Sequence, residues 1–152
     1  MLPAPAIVSD VDLGRRLRNE PSVARTLAVA PRSDVLVFSP GVLEEESVLV
    51  RSGFLTERGM ERLRAMGAVT DIFSRFLDMS GEPVSQELEE RTIAIPLDAV
   101  RQAKRSVAVA SSLVKAVPML VALRSRLATA AVVDEELAKE ILLLGRLGAE
   151  GH

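Results

Sequence analysis

Residues 105–134 read RSVAVASSLVKAVPMLVALRSRLATAAVVD, and their order decides the fold. Val107, Ala108, Val109 and Ala110 form a short apolar run, the pattern of a strand buried on both faces. Ser111 and Ser112 follow where the chain must turn. Leu113 to Arg126 reads as a helix, and Ala130 to Val133 as the next strand. Two apolar strands joined by such a helix imply a right-handed parallel crossover. In these units ligands collect at the carboxyl ends of the strands, where a helix start offers free N–H groups to an anion. Lys115 falls in the first turn of the expected helix. A cation there opposes the helix dipole, and a bound anion would compensate. A solvated lysine whose stem covers apolar surface is the alternative reading of the same residue.

Outward from this stretch, the same alternation recurs. Ser9 or Asp10 can cap a helix over Val11 to Arg18, although Gly14 weakens it. Pro21 suits the first position of a second helix reaching about Ala30, which Pro31 should stop. Asp34 to Phe38 reads as a strand ended by Ser39-Pro40-Gly41. Glu44 to Ser47 is an acidic patch suited to a solvated surface or a helix start, since adjacent glutamates on a helix cannot converge on one ion. Thr56 to Met66 predicts an amphipathic helix, capped by Thr56 and Gly67, with Met60, Leu63 and Met66 inward. Ala68 to Phe76 reads as a β segment, Ser80 to Pro83 as a turn, Thr92 to Ile95 as another β run, and Leu97 to Ala103 as a short helix. Pro118 lies near the start of the helix after Ser112 and is placed to kink it. Asp134 caps a last helix, Glu135 to Leu147, whose Leu137, Ile141 and Leu144 share a face. Strands alternating with helices mean an α/β domain with a largely parallel sheet.

Composition narrows the chemistry. The 152 residues suit one domain, and 48% are hydrophobic, yet there are four Phe, no Trp and no Tyr, so the core must be aliphatic. A net charge of -2 leaves no basic footprint for nucleic acid over the whole chain. No cysteine is present, which removes disulfides and thiol chemistry and is compatible with a cytoplasmic setting. The single histidine is His152, so a histidine-based metal site or triad is not expected. No apolar run reaches the ~18 residues of a membrane span, and the first residues do not read as a signal peptide.

Five collinear segments carry a resemblance: LPAPAIV, SDVLVFSPG, SVLVRSGFLTERGMERLRAMGAVTDIFSRFLDMSGEPV, ERTIAIPLDAV and VAVASSLVKAVPMLVALRSRLATAAVVDEELAKEIL. Together they resemble the sugar-binding domain of SorC/DeoR-type bacterial transcriptional regulators. The resemblance implies a Rossmann-like fold, a mostly parallel sheet with flanking helices, similar to glucosamine-phosphate and ribose-phosphate isomerases. It implies a phosphorylated sugar as effector. No cofactor, catalytic residue or metal is expected, and apolar sheet surface left open by a missing N-terminal half is expected to make a homo-oligomer. Arg51 and Lys115 then match positions that contact the effector phosphate, with Ser111 and Ser112 at the adjoining turn, and Asp71 matches an acidic position that holds sugar hydroxyls. The chemistry suits the roles. An arginine offers a planar fork, a lysine a point charge, and a carboxylate accepts hydroxyl protons. Arg51 could instead be a surface residue, and Asp71 could pair with Arg75.

The chain also departs from the family pattern. Ser111-Ser112 stand where the family usually has a glycine pair, and Ser39-Pro40 where it has a glycine-containing turn. Serines can still donate hydroxyls, but Pro40 has no N–H to give. The helix-turn-helix domain and the first phosphate loop of the family have no counterpart, so residues 1–152 are expected to be the C-terminal part of one effector domain. Any DNA contact would belong to a domain outside the chain. A sugar-phosphate isomerase-like enzyme and a non-binding oligomerisation remnant are the two rival readings.

Overall fold

The computed structural model describes residues 2–44 and 48–147. In chain order the elements are α1 (Val11–Asn19), α2 (Pro21–Val29), β1 (Leu36–Phe38), α3 (Val48–Arg51), α4 (Glu57–Ala65), β2 (Thr70–Ile72), β3 (Arg75–Leu77), α5 (Gln86–Arg91), α6 (Leu97–Arg101), β4 (Ser106–Ala110), α7 (Ala116–Arg124), β5 (Ala130–Val133) and α8 (Glu135–Leu147). Strands β1, β4 and β5 form a parallel sheet in that spatial order, with Val37 opposite Val107 and Val107 opposite Ala130. Strands β2 and β3 form a separate antiparallel hairpin. The result is the mixed α/β fold with a parallel sheet that the alternation implied.

The crossover from β4 to β5 sits where the sequence placed it, with one correction. The expected helix from Leu113 to Arg126 is two pieces. Leu113 to Lys115 is a 3₁₀ turn, and the α-helix starts only at Ala116. Pro118 supplies the reason. In a helix begun at Leu113 it would owe a hydrogen bond to the Val114 carbonyl, which it cannot make. As the third residue of α7 its missing N–H is one that no helix satisfies internally, so it does not break the helix. Helix α7 is the centre of the molecule: Ala116, Pro118, Met119, Leu120, Val121 and Ala122 are all buried, so it is apolar nearly all round. Its core includes Ile72, Leu77, Ala108, Leu127, Leu137 and Ile141. A second cluster of Ile7, Leu43, Met60, Leu63 and Phe76 seats α4 and the hairpin, and a third joins Val8, Val23 and Ile93.

Other expectations need revision. Ala68 to Phe76 is not one strand. Phe73 and Ser74 both have positive φ (53° and 61°) and fold the segment into the β2–β3 hairpin. Two consecutive residues in that region make a type I′ turn, normally marked by Asn-Gly or Asp-Gly, and Phe-Ser carries no such mark. Thr92 to Ile95 is not a strand but a single antiparallel bridge, Thr92 opposite Ile7, with the Ile93 N–H donating to Ala6 O at 2.8 Å. Met66 is exposed rather than inward, because α4 ends at Ala65 and Met66 is its cap. Pro31 does not stop α2 outright, since a 3₁₀ turn continues it over Ala30–Arg32. Of the acidic patch, residues 45–47 lie outside the described residues.

The caps follow the sequence closely. Asp10 accepts from Leu13 N at 2.8 Å, Thr56 from Gly59 N at 3.0 Å, and Asp134 from Leu137 N at 2.8 Å.

Candidate functional site

The carboxyl ends of β1, β4 and β5 meet at one edge of the parallel sheet. The chain leaves β1 through Ser39, Pro40 and Gly41, leaves β4 through Ser111 and Ser112, and leaves β5 through Asp134. A groove of about 480 Å³ opens there, lined by Ser39, Val109, Ala110, Ser111, Lys115, Val132, Val133 and Asp134. This is the position that parallel α/β sheets give to ligands.

Lys115 is half-buried, and its Nζ donates to the Pro40 carbonyl oxygen at 2.6 Å. The contact ties the start of α7 to the turn after β1. It also leaves two further ammonium protons for a ligand. The 3₁₀ turn at Leu113–Lys115 fixes the position: the Lys115 N–H donates back to Ser112 O at 3.0 Å.

The hairpin brings Asp71 to the same turn. Gly41 N donates to Asp71 O at 2.7 Å, and the Thr70 hydroxyl donates to Gly41 O at 2.8 Å. Burial pushes the Asp71 carboxyl above the usual aspartate range, and the Lys115 charge pulls it partly back. The alternative pairing of Asp71 with Arg75 is not formed. Arg75 is buried on the other side of the hairpin pattern, bonded to Glu89 at 2.7 Å and to Ile95 O at 2.8 Å. Asp71 and Lys115 therefore flank the same turn at Pro40–Gly41.

Ser111 lines the groove, and Ser112 sits beside it with φ 85° and ψ 134°. That backbone conformation suits glycine and strains a serine. Its N–H donates to Asp134 Oδ2 at 3.1 Å, while Asp134 Oδ1 caps α8. These two backbone donors, Leu137 first and Ser112 second, hold the Asp134 carboxyl below the usual range. Asp134 and Ser39 also line the groove, and neither was singled out in the sequence for it. Asp134 was legible as a helix cap, and its place at the end of the strand next to β4 was the signal for a second role.

Arg51 stands apart from this set. It ends α3, is exposed, and is not among the residues lining the groove. No group of three His, Cys, Asp or Glu among the described residues could hold a metal ion. No helix among them is long and apolar enough to cross a membrane.

Over residues 1–143 the chain matches the family described as "Putative sugar-binding domain". The chain belongs to this family of sugar-binding domains. Among proteins to which the sugar-binding domain is similar is the transcriptional regulator LsrR of Enterobacter sp. (strain 638), 31% identical over 147 residues, covering 95% of the chain and 46% of the regulator. Another is the deoxyribonucleoside regulator of Bacillus subtilis (strain 168), 28% identical over 141 residues, covering 93% and 45%. A DeoR family transcriptional regulator from Listeria monocytogenes has a similar solved structure, with a TM-score of 0.85 at 25% identity, covering 92% of this chain and 57% of that one. The chain spans about half the length of the curated relatives it matches.

Proposed function

We propose that this sugar-binding domain is the effector-sensing part of a SorC/DeoR-type transcriptional regulator and that it binds a phosphorylated sugar in the groove beside Lys115. The observation that carries the reading is that Lys115, which lines the groove, and Asp71 flank the same strand-end turn at Pro40–Gly41. A half-buried ammonium with free donors suits a phosphate, and a neighbouring carboxylate suits hydroxyls. Lys115 and Ser111 would serve the phosphate end and Asp71 the sugar end, while the Ser112 N–H is taken by Asp134. Arg51 remains a phosphate contact only if α3 approaches the bound ligand.

Binding rather than turnover is the proposed activity. The ligand would act by favouring one conformation or assembly of a bacterial, cytoplasmic regulator. DNA would be contacted by a separate helix-turn-helix domain of that regulator. One observation favours the isomerase-like alternative: a carboxyl with a raised pKa next to a cation is what a general base requires. Calorimetry with a panel of sugar phosphates, each also assayed for conversion, separates the two. The proposal expects saturable binding without product. Product formation would replace it with the enzyme reading, and no binding across the panel would leave the domain without an effector.

A homo-oligomer is proposed on a second observation. Val37, Val109 and Val132 share the outer face of the sheet and are 66%, 38% and 59% exposed. Parallel sheets are covered on both faces, so a partner surface is expected there.

A further inference from the structure

The groove carries a carboxylate where a phosphate site would be expected to offer a free donor. Ser112 is the second residue of the turn after β4, and its N–H donates to Asp134, which lines the groove. An N–H at such a turn is what an anion takes when it binds at the end of a parallel strand. Here the donor is already used: Asp134 Oδ2 accepts it at 3.1 Å. The same carboxylate is anchored through Oδ1 by the Leu137 N–H, so it is held from two sides and does not swing freely. Asp134 also lines the groove that Lys115 lines. The groove therefore has a cation on the Pro40 side and a fixed carboxylate on the β5 side.

We propose that Asp134 is a specificity-determining residue of the groove: by taking the Ser112 N–H and placing a negative charge at the end of β5, it confines a ligand's phosphate to Lys115 and presents an acceptor to ligand hydroxyls at the turn. This rests on the effector-site reading given above and deepens it. The physical basis is a difference of affinities. A phosphate oxygen at Ser112 would face a carboxylate at hydrogen-bonding range, whereas a hydroxyl there can donate to that carboxylate. Glycine at position 112 would tolerate φ 85° unaided, but a serine in that conformation is strained, so the Asp134 bond also offsets the cost of holding the turn.

The test uses Asp134→Ser in the full chain. Serine keeps a cap for α8 while removing the charge and releasing the Ser112 N–H. Calorimetry is run on wild type and variant with inorganic phosphate, a sugar phosphate and the corresponding unphosphorylated sugar. The expected result is about ten-fold tighter binding of inorganic phosphate by the variant and about ten-fold weaker binding of the unphosphorylated sugar. Asp134→Asn, which also lacks the charge and keeps a capping oxygen, should shift phosphate affinity in the same direction and serves if the serine variant does not fold. Unchanged phosphate affinity in a folded variant would overturn the proposal and leave Asp134 a helix cap. If wild type binds no sugar or sugar phosphate while the variant gains phosphate affinity, the effector reading fails and only the exclusion of phosphate from the Ser112 N–H by Asp134 stands.

Discussion

Gly41 and Asp71 are packed so closely that a Cβ on Gly41 would overlap the Asp71 carboxylate oxygen Oδ1. The glycine is therefore part of the site, since it lets the turn after β1 reach the hairpin and accept the Lys115 contact on the preceding residue. Its φ is not in the left-handed region, so the constraint is space.

Gly41→Ala should force the Asp71 carboxyl out of place. The expected cost is roughly 1–3 kcal/mol of stability, as for overpacking at a close contact. Sugar selectivity should fall with it. Urea denaturation and calorimetry on the same preparation check both, and a variant with wild-type stability and selectivity would show that Asp71 moves aside without consequence.

Asp71 gives a pH dependence of definite sign. Its folded pKa is raised, so the folded state holds the proton more tightly than the unfolded chain does. That contribution is fully present below the ordinary aspartate value of 3.8 and is lost as pH rises through the higher folded value. Asp71→Asn removes the loss. The variant should gain stability over wild type as pH rises through that window and hold the gain at pH 7, while choosing less well among sugars. Denaturation curves at a series of pH values from 3.5 upward would reveal it, and a variant less stable than wild type at pH 7 would contradict the burial argument.

Ser112→Gly should stabilise the domain by about 1 kcal/mol, because glycine adopts φ 85° without the strain that serine bears. Thermal denaturation is the check. A lower melting temperature would mean that the serine side chain contributes more than its backbone costs.

The outer sheet face predicts self-association. Val37→Lys places charge on an exposed valine of that face outside the groove lining and should lower the mass seen by light scattering. Wild type that is already monomeric at high concentration would remove the argument for an assembly through this face.

Much of this was legible in residues 105–147. The apolar runs of β4 and β5 and the Asp134 cap define one unit, and local pattern suffices where burial and periodicity agree. The pairing of Asp71 with Lys115 came through the resemblance, since 44 positions separate them and no periodicity links them. What was hidden depends on tertiary context. The Phe73-Ser74 turn carries no glycine, and α5 offered no apolar period long enough to read. Asp134 looked like a cap alone because its second bond goes to a turn 22 residues earlier. Arg51 ends α3 outside the groove lining, so its phosphate contact stays a proposal that rests on the resemblance.

The central claim is that Lys115 holds the phosphate of a sugar phosphate in the groove. The most direct measurement compares wild type with Lys115→Met by calorimetry, using one bound sugar phosphate and its unphosphorylated sugar. Lys115→Met should lose roughly 1.5–3 kcal/mol, about ten- to a hundred-fold in affinity, for the phosphorylated ligand and change little for the other. Equal affinity of the two proteins for the sugar phosphate would contradict it.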